Sequence, residues 1–258
     1  MPTEMIQIPF GLILNFGLVL CRTAGMMTFL PIPGLRTGLE VQRLALAVLF
    51  GVLLAPWART EMPELTIGGI GRVAMTELAL GVGLGLCMAL IQEGIQMGVQ
   101  MIGLQAGFSY ASTIDPSSNA DSAILQVVLN LGTSLLFLAM GLDTVLFRFL
   151  LTGVQTMPPG TWTLEQGHLG PVMALFPQLF IDAIRCSLPI VGTLLMVDVA
   201  LALLSRIQPQ LQLLTLSFPV KMLAAMALIA AGAPMLAGMV GRSAARSFEA
   251  MQYLLGAR

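Results

Sequence analysis

The chain has 258 residues, with 12 lysines and arginines against 13 acids, so charge makes up only 10% of it. Hydrophobic residues make up 57% and the formal net charge is -1. A soluble globule needs a charged skin of roughly a quarter of its residues, so a soluble enzyme is excluded. Without a basic excess, phosphate-backbone binding is excluded too, and no nucleic-acid partner is expected. Cys21, Cys87 and Cys186 lie in apolar stretches, and with one histidine, His168, they offer neither a disulfide framework nor a zinc site. The composition is that of an integral membrane protein, and no metal or cofactor is expected.

A helix that crosses the ~30 Å hydrocarbon core needs about 20 apolar residues. Uncharged stretches run over Met5–Cys21, Leu44–Ala58, Leu78–Gln92, Gly94–Ile114, Ser122–Leu142, Gln166–Ile181 and Met222–Gly241. Bridging isolated charges predicts roughly six or seven helices, near 6–30, 43–58, 71–92, 94–110, 122–151, 171–205 and 213–241. No stretch alternates with period two, so the fold class is all-α rather than β-barrel. The first run has no basic n-region and no Ala-x-Ala site, so no removable signal peptide is expected.

The connections carry turn residues. Pro31, Pro33 and Gly34 end the first run, and Pro56 and Pro63 frame a charged stretch from Arg59 to Glu64. Asp115, Pro116, Ser117, Ser118 and Asn119 form the strongest turn signal. Pro158, Pro159 and Gly160 open a polar linker through Glu165, which divides the chain into 1–165 and 166–258. Basic loop residues should fix orientation, yet the first loop (Arg36, Arg43) and the second (Arg59, Arg72) are equally basic. Simple alternation across the bilayer does not follow.

Enzyme chemistry has little to work with. The chain has no His-Glu-x-x-His pair, no Gly-x-Ser-x-Gly elbow and no phosphate-binding glycine loop. Gly141, Leu142 and Asp143 lack the second glycine of an intramembrane aspartyl protease motif. More informative are Arg22, Glu77, Glu93, Asp182, Arg185, Asp198 and Lys221, which interrupt apolar runs. A charge facing lipid costs several kcal/mol, so each should face protein or a water-filled path. Asp182 and Arg185 are spaced to pair on one helix face. Asp198 has no basic residue within a turn, so its partner must come from another helix or subunit.

Glycines 81, 83, 85, 94, 98, 103 and 107 crowd one stretch. Gly94 with Gly98, and Gly103 with Gly107, have the small-xxx-small spacing of closely packed helices. Each glycine lowers helix propensity by up to ~1 kcal/mol, so the stretch is expected to bend or break. Met97 and Met101 lie on one face ahead of Phe108 and Tyr110, as core filler or a deformable seal. Gly103 and Gly107 read as hinges of a polar segment, 107–121, that no lipid-exposed helix can contain. That segment must sit in water or protein, as a surface turn between two helices or over a lumen that Phe108 and Tyr110 could occlude.

The order of these motifs resembles the FliR family of flagellar type III export-gate components, over nearly the whole chain. The first set is Pro31, Pro33 and Gly34, followed by Gln42, Arg43 and a Leu/Ala-rich helix to Pro56. The second is Gly81 to Gly85, Gln96 and Gly98, then Gln105, Gly107, Phe108, Ser109, Tyr110, Asp115 and Pro116. The third is Pro189, Asp198, Ser205, Arg206, Pro209, Gln210, Phe218, Pro219 and Lys221. Departures are the missing proline near Gly38–Glu40, Leu142 where a histidine is common, and Gln212 for asparagine.

The resemblance implies kinked helical hairpins in a helical export-gate assembly, much of it raised out of the bilayer plane. Residues 1–165 look like the partner subunit FliP, and 166–258, through Phe218, Pro219 and Lys221 to Pro234, look like the small partner FliQ. One copy would join five FliP and four FliQ subunits, with FlhB-type switch and FlhA-type export subunits nearby. The site would be the bacterial inner membrane at the flagellar basal body, and the substrates unfolded flagellar proteins. Gly107 to Tyr110 and Asp115 to Ser118, with Ser109, Tyr110, Ser117 and Ser118 among them, would form a channel plug, with Met97, Gly98, Met101 and Gly103 as its gasket or as helix packing beside it. Asp182, Arg185, Asp198, Arg206 and Lys221 would serve inter-helix or inter-subunit contacts. An injectisome homologue is the second reading, although the uncharged Gly94–Ile114 stretch follows the flagellar pattern. A small-solute transporter is the alternative of another class, and it would need inverted repeats that the halves lack.

Overall fold

A computed structural model describes residues 10–30, 40–58, 66–108, 124–163, 166–207 and 213–256. Among them are seven α-helices and no strand: α1 (Phe10–Phe29), α2 (Val41–Leu54), α3 (Ile67–Ala106), α4 (Ile124–Ala139), α5 (Leu142–Thr156), α6 (Gln166–Ile207) and α7 (Leu213–Leu254). A 3-10 turn, Ala55–Trp57, extends α2. Gly11–Phe29, Gly68–Ala106 and Leu169–Ile207 are long and apolar enough to cross a membrane, and counting two bent pairs as one span each raises the number from 3 to 5. The protein is an all-α membrane protein.

Helix boundaries depart from the periodicity reading in three places. The helices expected near 71–92 and 94–110 are one helix of 40 residues, α3. The charge that suggested a boundary, Glu93, is exposed on it and forces no break. The glycine run does not break the helix either, because its glycines are used for close approach to other backbones. A Cβ at Gly81 would lie 2.0 Å from the Arg22 carbonyl oxygen, and one at Gly85 would lie 2.4 Å from that of Met26. The helix expected near 122–151, in contrast, is divided, because Gly141 sits in the left-handed region at φ 66° between α4 and α5. The last helix runs on to Leu254 and carries Pro219 and Pro234 in its interior.

The chain forms two compact units. The first comprises Met1–Ala89, Met140–Leu175 and Arg246–Arg258. In it α1 packs on α2 and on the first half of α3, with Leu18, Val19, Met26, Leu80, Leu84 and Met88 buried. Phe50 of α2 stacks on Phe147 of α5 at 4.4 Å between centroids, and Phe149 of α5 on Phe248 of α7 at 5.7 Å. Trp162, from the linker, donates its indole N–H to the Leu254 carbonyl at 3.0 Å. Arg43 is not a loop charge. It is buried in the first turn of α2, and its Nη1 donates to the Met27 and Thr28 carbonyls at 2.6 and 3.1 Å, the last turn of α1.

The second unit comprises Leu90–Ala139 and Phe176–Ala245. Gln92 of α3 donates to Ser134 of α4 at 3.1 Å. Gly94 and Gly98 of α3 face the Leu179 and Ala183 carbonyls of α6, with a Cβ at Gly98 falling 2.9 Å from the latter. Ile102, Ala106, Leu194 and Ala225 form the buried core where α3, α6 and α7 meet. Beside it is an apolar cavity of about 200 Å³, lined by Val99, Cys186, Pro189, Leu228, Met235 and Met239 among others.

Candidate functional site

The C-terminus of α3 carries the first residues of the expected plug segment. Gly107 has φ 86°, a conformation that glycine adopts without strain, and it ends the helix. The Gly107 N–H donates to Leu104 O at 3.2 Å and the Phe108 N–H to Gly103 O at 3.1 Å, so two of the last four carbonyls of α3 are satisfied. Gly103 is therefore an ordinary helical residue, and Gly107 is the stop. The Phe108 ring packs against the Ile102–Ala106–Leu194–Ala225 core together with Ile190, Val191, Ala224 and Ile229. The ring of Phe218 closes on Gly107 so tightly that a Cβ there would lie 2.7 Å from Cδ1. Ser109, Tyr110, Asp115, Pro116, Ser117 and Ser118 lie outside the described residues, as do Pro31, Pro33, Pro209 and Gln210.

A polar cluster stands in the same unit, drawn from the same three helices. Asp198 of α6 forms an ion pair with Lys221 of α7, and its second oxygen accepts from Gln105 Nε2 of α3 at 2.9 Å. The partner of Asp198 is thus on another helix of this chain. The Lys221 side chain is 15% exposed and that of Asp198 37%, so the pair is only partly screened. Asp198 has no acid or base of its own helix one turn away, so packing of α7 on α6 is what brings the two charges together.

The remaining residues are placed as follows. Asp182 Oδ2 accepts from Ser243 Oγ of α7 at 2.6 Å, and Arg185 is exposed. Arg206 is exposed and Pro219 is exposed, each on its helix. Gly98 is buried against α6, and Met97 is half-buried. Met101 is 38% exposed, and its sulfur takes a contact from Ser187 Oγ at 3.5 Å.

Sequence reasoning missed a second network, in the first unit. Arg22 of α1 and Glu77 of α3, both 0% exposed, form an ion pair with Nε donating to Oε2 at 2.6 Å. Arg22 Nη1 also donates to Gly153 O and Met157 O, at 3.1 and 3.2 Å. The other carboxylate oxygen, Oε1, accepts from the Gly160 N–H at 3.0 Å. Two apolar helices, the end of α5 and the Pro158–Gly160 linker are thereby joined through one guanidinium and one carboxylate. Both residues stood out as buried charges, but their pairing spans 55 positions. A signal was present: Glu77, Gly81 and Gly85 recur every four residues, so the carboxylate shares the face that meets α1.

Among the described residues no group of three or more His, Cys, Asp or Glu stands close enough to hold a metal ion.

Residues 13–247 match the family described as bacterial export proteins, family 1. The chain is 26% identical over 219 residues to the flagellar biosynthetic protein FliR of Escherichia coli (strain K12), covering 84% of each chain. It is 26% identical over 212 residues to the flagellar biosynthetic protein FliR of Bacillus subtilis (strain 168), covering 80% of this chain and 81% of the relative. The surface presentation of antigens protein SpaR of Salmonella typhimurium is 26% identical over 212 residues, covering 81% and 79%. A family match over nearly the whole chain, on a helical architecture of membrane-spanning length, is decisive: the chain belongs to the bacterial export proteins, family 1.

Proposed function

We propose that this chain is a subunit of the flagellar type III protein export gate and lines the path by which unfolded flagellar proteins leave the cell. The observation that carries this reading is the family match over residues 13–247, joined to relatives whose name is flagellar biosynthetic protein FliR. Its partners in this reading are FliP- and FliQ-type subunits, five and four to one copy, with FlhA- and FlhB-type subunits beside them. The 1–165 and 166–258 divisions then correspond to the FliP-like and FliQ-like parts. Residues 107–121 plug the channel, sealed by Met97 and Met101. Exposed apolar side chains along α6, including Met173, Phe180, Leu188, Met196 and Leu203, suit burial against lipid or neighbouring subunits. The role is one of assembly and gating rather than catalysis, at the bacterial inner membrane.

The SpaR relative favours a second reading, the equivalent subunit of an injectisome, at the same 26% identity. Complementation separates the two. A flagellate strain made non-motile by loss of its own FliR should recover swimming in soft agar when it expresses this chain, and an injectisome strain lacking SpaR should not recover secretion. The reverse pattern overturns the flagellar assignment. Deleting 109–118 in the complemented strain should leave assembly intact and make growth sensitive to salt or dye. Unchanged permeability with full assembly would make the segment a surface turn.

A further inference from the structure

The first unit carries a groove of about 370 Å³ between α2 and α5, within the roughly 300–1,000 Å³ range of small-ligand pockets. One wall is Phe50, Leu53, Leu54 and Trp57, and the other is Thr144, Phe147, Arg148, Leu150 and Leu151. The spacing i, i+3, i+4, i+7 on each side makes both walls single helix faces. The Phe50–Phe147 stack joins the two walls, while Leu53 and Trp57 are each 62% exposed. Arg148 is the one charged residue in the lining. It is exposed and has no hydrogen-bond or ion-pair partner among the described residues. Its neighbours one turn away, Thr144, Val145, Leu151 and Thr152, include no acid, so its helix cannot neutralise it.

A guanidinium on an otherwise apolar, outward-facing groove of a membrane protein would cost several kcal/mol in the hydrocarbon, so it belongs at the interface, where anionic headgroups can meet it. The occupant must then offer an anionic head and an apolar body together. Trp57 sharpens this: the apolar run of α2 ends at Ala58 and charge returns at Arg59, Glu61 and Glu64. Tryptophan at such a boundary belongs at the level of the lipid headgroups, and the long arginine stem allows its guanidinium to reach the same level. Exposed Val41, Leu44, Leu49 and Val52 continue the apolar surface of α2 beside the groove. We propose that this groove binds an anionic phospholipid, its phosphate on Arg148 and an acyl chain along Leu53, Trp57 and Leu151. The inference rests on the membrane reading of the helices and not on the export role.

Native mass spectrometry of the full chain, released from detergent after incubation with phosphatidylglycerol or phosphatidylcholine, tests it. One cation at a membrane surface contributes about a fivefold preference for the anionic lipid. The wild type should retain phosphatidylglycerol about fivefold over phosphatidylcholine, Arg148→Lys should keep that preference, and Arg148→Gln should lose it. Thr144→Glu, which sets a carboxylate one turn from an intact Arg148, should lose it as well. Trp57→Ala should lower retention of both lipids. Equal retention by the wild type, or an unchanged preference in Arg148→Gln and Thr144→Glu, overturns the proposal. So does displacement of the lipid by inorganic phosphate alone, which would mark a free-anion site. A photo-crosslinker at position 53 that captures protein instead of phosphatidylglycerol in membranes would assign the groove to a polypeptide partner and overturn it too.

Discussion

Removing Glu77 is the sharpest perturbation the structure offers. In Glu77→Ala, Arg22 keeps its two carbonyl acceptors, Gly153 and Met157, but loses its counter-charge while remaining 0% exposed. Nη2 of the same guanidinium has no hydrogen-bond partner among the described residues. Breaking a buried pair from one side costs about 3–5 kcal/mol, and the Gly160 N–H loses its acceptor as well. At ~2–4 °C per kcal/mol for a chain of this size, the melting temperature in detergent should fall by roughly 6–20 °C. Arg22→Met should cost a similar amount, because it strands the carboxylate.

The double variant Arg22→Met with Glu77→Leu should instead lie within about 1–2 kcal/mol of the wild type, since a well-packed apolar pair often replaces a buried ion pair at little cost. Gly153 O remains satisfied in it by the Met157 N–H at 3.0 Å, leaving Met157 O as the main group unpaired. Denaturant unfolding in mixed micelles, run as a double-mutant cycle, gives the coupling directly. Single variants costing under ~1 kcal/mol, or a double variant as damaged as the sum of the two, would refute the assignment of this pair as the fixed joint between α1 and α3.

Other expectations follow from the same geometry. Gly81→Ala should prevent folding or lower the melting temperature sharply, because its Cβ would meet the Arg22 carbonyl at 2.0 Å. Gly132→Ala, with nothing within 4 Å, should be neutral or stabilising by up to ~1 kcal/mol through helix propensity; thermal shift distinguishes them. Gly141→Ala should cost about 1–2 kcal/mol from its positive φ alone, whereas Gly107→Ala should cost more, because the Phe218 ring also stands 2.7 Å away. Asp198→Ala and Lys221→Ala should each cost about 1.5–3 kcal/mol, the range for charged hydrogen bonds, and lower the yield of folded protein. Arg206→Ala, exposed at the end of α6, should not; equal loss in all three variants would refute the burial argument.

Class and rough extent of the fold were legible because hydrophobic run length is a one-dimensional property. That the partner of Asp198 lies off its own turn was legible for a related reason: with no base within a turn, elimination pointed to another helix or subunit, and the structure supplies the helix. What could not be read were the features decided by tertiary contact. A run of glycines weakens an isolated helix, yet against α1 the same residues admit backbone approach that no Cβ would tolerate, and α3 continues unbroken. Gly141 gave the opposite error. It sits in an uncharged run with no proline near it, and only its positive φ marks the break. Arg22 and Glu77 each signalled burial, but local spacing reaches about four residues along a helix and cannot join two charges 55 positions apart.

The failed orientation count has a structural cause of the same kind. The rule counts basic residues in loops and assumes that successive apolar runs cross the bilayer. Both premises fail around α2. Arg43 is inside the helix, 1% exposed, and its Nη1 is spent on the carbonyls that α1 leaves open at its C-terminal end. It reports packing of α2 on α1, aided by the negative end of the α1 dipole, and says nothing about which side of the membrane is positive. The helix itself has 14 residues, about 21 Å of rise, short of the ~30 Å hydrocarbon core even with its 3-10 extension. Arg36 and Arg59 therefore need not lie on opposite sides, and an equal basic count before and after α2 is what such an element allows. At the other extreme, α3 and α6 have 40 and 42 residues, about 60 Å of rise each, and the 42 residues of α7 are bent by 57° between Gly232 and Pro234. The first two are twice the core thickness, so part of their length must stand outside it or lie steeply tilted. The apolar surface along them then has to be covered by protein wherever lipid is absent, which is the physical reason an isolated copy should aggregate and partner subunits should stabilise it.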